Sequence, residues 1–298
     1  MPKKYSDIVG DGGSNIIGQV MEQAARLKAR LSQVKHTIAV MSGKGGVGKS
    51  AITVNLAAAL ALQGYQVGVV DADINGPSIA KMMGVKGQDL KVDEGGVYPA
   101  IGPLKLKVMS MDLLLASDET PVIWDGPSQE TFVWRATMEA TTLREFLTDT
   151  EWGELDFLLV DLPPGTDKFM NVTEVLPRFS GTIVVTIPSE VSQLVVKKSI
   201  TLAKKLKKSP ILGVIENMRG YFCVECGTIG ELFHEGDTEA MASQLGVPFL
   251  GQIPFDPRLS VSTDRGKPFV IDYPDAPAAQ TVIEIAKKVV AHCTSSPV

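Results

Sequence analysis

Hydrophobic positions along the chain change period several times, and each change marks an element. Val20, Ala24, Leu27, Leu31 and Val34 recur at steps of four and three, the seam of an amphipathic helix. "HTIAVMS" (36–42) follows as a buried strand. It runs into a glycine-rich loop, and "SAITVNLAAALALQG" (50–64) then reads as a helix stopped by Gly64. "QVGVVDAD" (66–73) is a second strand with acidic residues at its exit, and Pro77 opens a short helix through Met83. From Gly84 to Pro103 the pattern breaks into hairpin and loop. Further strands are expected over 106–110, 121–126, 155–161, 181–188, 211–217 and 248–254. Helices are expected from Phe132 to Leu147, Ser189 to Lys208 and Thr281 to Ala291. Near-continuous apolar strands alternating with helices predict an α/β fold with a mostly parallel sheet covered on both faces.

No repeat, low-complexity linker or composition shift divides the chain. Residues 1–35 read as an N-terminal extension with its amphipathic helix, and 36–298 as one nucleotide-binding domain. A chain of 298 residues, 44% of them hydrophobic, can bury a large core. Its net charge of −5 gives no electrostatic case for nucleic acid as a partner. No apolar run approaches the roughly 18 residues of a membrane span, and the first residues lack a signal-peptide pattern. Three cysteines make no disulfide framework. The expectation is a cytoplasmic protein with neither membrane nor nucleic acid as a partner.

"VMSGKGGVGKS" (40–50) fits two templates. Gly43-Lys-Gly45-Gly46-Val-Gly48 matches the G-x-G-x-x-G dinucleotide fingerprint, and Asp71 lies about 20 residues further on. The continuation Gly48-Lys49-Ser50 matches the P-loop. A pyrophosphate held on backbone amides has no need of a Lys-Ser pair, whereas triphosphate chemistry does: Lys49 neutralises the outer phosphates and Ser50 ligates Mg²⁺. "FLLVD" supplies Asp161, an acid at the end of another apolar strand, for the Mg²⁺ shell. ATP is favoured over GTP because no Asn-Lys-x-Asp tetrapeptide is present to read guanine. Asp71 and Asp73 in "DADINGPS" lie where one of them can orient an attacking water; read blandly, they cap a turn before Pro77. In "DLPPGTD", the Gly165 amide is placed to sense a γ-phosphate.

Cys223 and Cys226 form a C-x-x-C pair followed by Gly227, a spacing that points two thiolates at one metal. Zinc or a cubane cluster typically takes four ligands. Cys293, His36, His234 and His292 have no partner spacing. A two-fold axis bringing two pairs together would supply the missing thiolates. A structural zinc bridge uses the same ligands.

"GKGGVGKS", with its additional Lys44, resembles the deviant P-loop of the dimeric ATPases that include nitrogenase iron protein, the septum-site and partition ATPases, and the Mrp/ApbC-type iron–sulfur cluster carriers. "DLPPGT" and a C-x-x-C after the adenine-side strand resemble the cluster carriers in particular. The resemblance implies a homodimer that hydrolyses ATP with Mg²⁺ and passes a labile [4Fe–4S] cluster to apo iron–sulfur proteins. It implies catalytic roles for Lys44, which reaches the partner's nucleotide, Lys49, and Asp73, which positions water. The nucleotide would be held by Gly43, Lys44, Gly45, Gly46, Val47, Gly48, Lys49, Ser50 and Ala51, with Asn217 and Pro254 at the base. Ser50 and Asp161 would serve the metal, and Cys223 and Cys226 the cluster. Two departures stand out: the pair encloses Val224-Glu225 where carriers commonly have a proline, and no cysteine precedes Cys223. The competing reading is a positioning-type ATPase, a dimer switch with a structural zinc bridge.

Overall fold

The computed structural model describes residues 16–115, 117, 119–120, 122, 132–176, 179–206, 209–233 and 236–295. Their strands are β1 (Val34–Ser42), β2 (Val67–Asp71), β3 (Val92–Asp93), β4 (Gly96–Val97), β5 (Ala100–Ile101), β6 (Lys107–Met109), β7 (Leu155–Asp161), β8 (Gly181–Thr186), β9 (Ile211–Phe222), β10 (Ile229–Gly230) and β11 (Phe249–Phe255). The helices are α1 (Ile16–Leu31), α2 (Lys49–Leu62), α3 (Ile79–Met82), α4 (Phe132–Asp149), α5 (Thr166–Val175), α6 (Glu190–Leu206), α7 (Thr238–Gln244), α8 (Arg258–Asp264), α9 (Phe269–Asp272) and α10 (Pro277–Ser295).

One sheet runs in the order β10-β9-β8-β1-β7-β2-β6-β5, with β11 also on β9. Only the short strands β5 and β10 pair antiparallel in it. The parallel register sets Val40 beside Asp161 and Asp71 beside Asp161, so the glycine loop after β1 and two carboxylates emerge at one carboxyl edge. Ligands of open parallel sheets bind at that edge. No helix among the described residues is long and apolar enough to cross a membrane.

The sheet separates two cores. On one face Ile52, Leu56 and Leu60 of α2 pack with Val282, Ile285 and Val289 of α10. On the other, Leu143, Phe146 and Leu147 of α4 join Val196 and Ile200 of α6. Each fully buried Leu or Ile contributes about 1.5–3 kcal/mol of transfer free energy. The run of alanines in α2 lets that helix lie close to both sheet and α10, which is why it is buried nearly all round.

Several expectations need correcting. In the N-terminal seam Leu27 is buried, but Ala24 is exposed and Val34 already belongs to β1. The strand that was expected to stop at Asn217 continues to Phe222, because Ile253 and Phe255 of β11 pair with Asn217 and Tyr221. Met218 takes φ 59° within it. The second strand ends at Asp71 rather than Asp73, and the closing helix begins at Pro277. The strand expected over 121–126 lies, apart from Val122, outside the described residues, as does His234.

Candidate nucleotide site and cysteine hairpin

The loop after β1 is shaped by close approach. Gly48 has φ 82°, and a Cβ there would lie 2.3 Å from Asn217 Nδ2; one on Gly43 would lie 2.6 Å from Val195 Cγ1. No other residue type fits either place without displacing its neighbours. The Gly48 carbonyl accepts from Ile52 N at 2.9 Å to start α2, and no side chain caps this end. The first-turn amides of α2 therefore remain available to an anion.

Lys49 and Ser50 turn onto Asp161. The Lys49 ammonium lies 2.6 Å from Asp161 Oδ2 with both side chains buried, and the Ser50 hydroxyl donates to the same oxygen at 2.6 Å. Thr53, which the sequence reading missed, donates to Asp161 Oδ1 at 2.6 Å. Its spacing of one helical turn beyond Ser50 was the available signal. Lysine, hydroxyl and carboxylate thus meet at one point, the donor set that a phosphate with a divalent cation requires.

Asp71 is wholly buried. Its Oδ2 accepts from the Ser78 and Ile79 amides at 2.9 and 3.1 Å and from the Ser110 hydroxyl at 3.1 Å. Burial, reinforced by the charge on Asp161, pushes its pKa up to about 7. The residue serves as a post around which the following loop is wound. Asp73, on that loop, is half-buried, and its Oδ1 accepts from Gly76 N at 3.3 Å. Burial raises its pKa, while the Lys49 charge pulls the other way. The Gly165 amide donates to Ser42 O at 3.2 Å, so the group expected to sense a phosphate is engaged within the chain.

Asn217 lies beneath the loop, donating from Nδ2 to Val47 O at 2.9 Å. Pro254 is buried in β11, adjacent to the Ile253–Asn217 pairing. Gly45 and Gly46 are exposed at the loop's crest, Val47 is buried, and the Ala51 carbonyl accepts from Asn55 Nδ2 at 2.8 Å. Lys44 is half-buried, and no described residue pairs with its ammonium.

β9 and β10 form a hairpin whose tip is the C-x-x-C pair. Gly227 N donates to Cys223 O at 2.8 Å and Cys223 N to Thr228 O at 2.9 Å, closing a knuckle. Cys223 is half-buried and Cys226 exposed. Cys226 Sγ lies 2.9 Å from Thr228 Oγ1. That hydroxyl, helped by nearby amides and the Cys223 thiol, lowers the Cys226 pKa to about 7. Among the described residues no group of three or more His, Cys, Asp or Glu side chains is placed to hold a metal. Cys293 is buried in the α10 core, where desolvation pushes its thiol up to about 11. His36 stacks on Phe157, and His292 bonds Lys288 O.

Comparison with known proteins points one way. Residues 33–290 match the family model described as ParA: NUBPL iron-transfer P-loop NTPase. An iron-sulfur cluster carrier protein of Saccharolobus solfataricus is 44% identical over 91% of this chain and 88% of its own length. One from Methanocaldococcus jannaschii is 45% identical over 90% and 89%. Among solved structures, a nucleotide-binding protein from Archaeoglobus fulgidus in complex with ADP, with cobalt, superposes with a TM-score of 0.69 at 37% identity, covering 82% of this chain and 91% of that one. The Pyrococcus furiosus cell division ATPase MinD shares the fold, with a TM-score of 0.61 at 23% identity over 86% of this chain and 98% of its own.

Proposed function

The chain belongs to the ParA-type family of NUBPL iron-transfer P-loop NTPases, and from that premise we propose that it is a cytoplasmic homodimer that hydrolyses ATP and carries a [4Fe–4S] cluster to apo iron–sulfur proteins. The observation that carries this reading is an incomplete ligand set. Two thiols sit together on an exposed hairpin with no third ligand among the described residues. Lys44 likewise has no partner among the described residues. A second copy supplies both needs: its cysteines complete a four-thiolate site, and Lys44 of each chain reaches the other's nucleotide.

The residues at the sheet edge fit Mg²⁺, since Ser50 and Asp161 offer hard oxygen donors on one side of the loop. Bound there, Mg²⁺ would neutralise charge on the β- and γ-phosphates. The chain's own contribution is then positioning. Lys49 exchanges its carboxylate partner for phosphate oxygens, the α2 amides cradle the anion, and Asp73 orients the attacking water. Asn217 ties this site to the cluster, because the strand that braces the loop at Val47 continues directly into the cysteine hairpin. The lowered Cys226 pKa favours thiolate, the form that binds iron.

The test is transfer. Reconstituted protein is mixed anaerobically with an apo [4Fe–4S] enzyme and an iron chelator, and recovery of enzyme activity is followed. Recovery that survives the chelator and vanishes in Cys226→Ser supports direct hand-over. Recovery abolished by the chelator means that free iron is released, and the carrier reading fails.

A further inference from the structure

Glu139 has no place in the site as described so far, yet it touches both the loop that carries Asp73 and the segment that leaves Asp161. It projects from α4 one turn before the buried Leu143, on a helix fixed in the core by Leu143, Phe146 and Leu147. One carboxylate oxygen accepts from Asn75 Nδ2 at 2.5 Å, and the other lies 2.6 Å from Lys168 Nζ. Asn75 stands between Asp73 and Gly76, the residue whose amide holds the Asp73 carboxylate. Lys168 is in the first turn of α5, three residues beyond Gly165 on the segment that leaves Asp161. Among the described residues, Glu139 is the only side chain bonded to both segments.

The arrangement differs from an ordinary surface ion pair. Glu139 and Lys168 side chains are only 13% and 23% exposed, so the pair is partly shielded from screening. It also joins three elements that are 29 and 64 residues apart in sequence, rather than neighbouring turns of one helix. Its anchor is packed in the core, whereas Asn75 lies on a loop and Lys168 in the first turn of α5. Its reach across separate segments bears on where those segments stand rather than on the stability of either. Small errors in the placement of reacting groups do have large kinetic effects.

We propose that Glu139 is a positioning residue that holds the Asp73 loop and the segment after Asp161 at a fixed separation for phosphoryl transfer, a role that rests on the hydrolase reading above. It touches neither nucleotide nor water itself. Its carboxylate sets where Asp73 stands relative to Lys49, and Lys168 sets where the α5 segment stands relative to Gly165.

The experiment compares MgATP turnover with MgADP affinity in the full chain. Glu139→Ala should lower kcat about tenfold while the MgADP Kd stays within about twofold, because the bonds lost lie on the γ-phosphate side. Glu139→Gln keeps an acceptor for Asn75 and loses only the ion pair, so a fall of about threefold is expected; it also serves if the alanine variant does not fold. The reversed pair, Glu139→Lys with Lys168→Glu, should recover to within about threefold of wild type. Unchanged kcat in Glu139→Ala, a parallel loss of MgADP affinity, or a reversed pair no better than the worse single variant would each overturn the role. If the wild-type protein binds MgATP but does not hydrolyse it, the hydrolase reading fails first and the positioning role falls with it.

Discussion

Replacing Asp71 with asparagine should change how the protein's stability responds to pH, in a direction fixed by burial. The folded-state pKa of Asp71 is pushed from 3.8 up to about 7. A carboxyl raised in the folded state keeps its proton after the unfolded chain has released one. Stability is therefore greatest below the unfolded value and is lost as pH rises from about 4 to about 7, levelling above that. A difference of about three pKa units corresponds to about 4 kcal/mol over the whole window. Between about pH 5.5 and about pH 8, where the protein can be handled, the expected loss is about 2 kcal/mol. Asparagine does not titrate there. It also fits the post imperfectly, since its single acceptor oxygen cannot serve the Ser78 and Ile79 amides, the Ser110 hydroxyl and the Asp73 amide, which donates to Asp71 Oδ1 at 3.2 Å, together, but that cost is the same at every pH. Urea unfolding of nucleotide-free wild type and Asp71→Asn, followed by far-UV circular dichroism across this range, measures the difference. Asp73 and Glu216, whose pKa values burial also raises, titrate in both proteins and cancel. The wild-type advantage should shrink by about 2 kcal/mol from the lower pH to the higher. A difference that stays level across the range would refute the burial argument.

Other perturbations address the loop and the hairpin. Thr228→Val removes the hydroxyl beside Cys226, so in metal-free protein its thiol pKa should rise from about 7 toward 9.0 and iodoacetamide alkylation at neutral pH should slow several-fold; the pH profile of alkylation checks this. Gly48→Ala places a methyl group 2.3 Å from Asn217 Nδ2 at a positive φ, and should abolish MgADP binding by calorimetry while costing about 1–3 kcal/mol of stability. Lys44→Ala should leave MgADP affinity within about threefold but lower ATP turnover by about 100-fold, the scale of losing one charge-stabilising donor in the transition state. Equal turnover in that variant would remove the reason for a lysine shared between chains.

Much of this molecule was legible because its sites sit where hydrophobic pattern ends in polar residues. "FLLVD" and "VGVVD" are buried strands closing on an acid, and parallel pairing places those acids side by side. The glycine loop was legible through Lys49-Ser50, and a tight knuckle, though not the hairpin that carries it, through Cys-x-x-Cys-Gly. Residues that act only through distant partners were not. Thr53 and Asp161 are 108 positions apart, and Ser110 and Asp71 are 39 apart. Nothing local distinguishes Ser110 from an ordinary turn serine, and only its spacing of one turn beyond Ser50 sets Thr53 apart from an ordinary helix threonine. Glu139 looks like any polar residue on an amphipathic helix until the fold sets Asn75 and Lys168 against it. The course of β9 past Asn217 was hidden for a related reason: Met218 at φ 59° and Gly220 at φ 75° interrupt a strand pattern, and only pairing with β11 carries it on to the cysteines.

The central claim is that two chains share one cluster through four thiolates. Iron, sulfide and zinc per chain, measured after anaerobic reconstitution with Cys223→Ser as control, test it most directly. About two irons and two sulfides per chain, lost in the variant, are the stoichiometry of one four-iron cluster in a dimer. About half a zinc per chain with no iron taken up would contradict the account and leave the cysteine pair as a structural bridge.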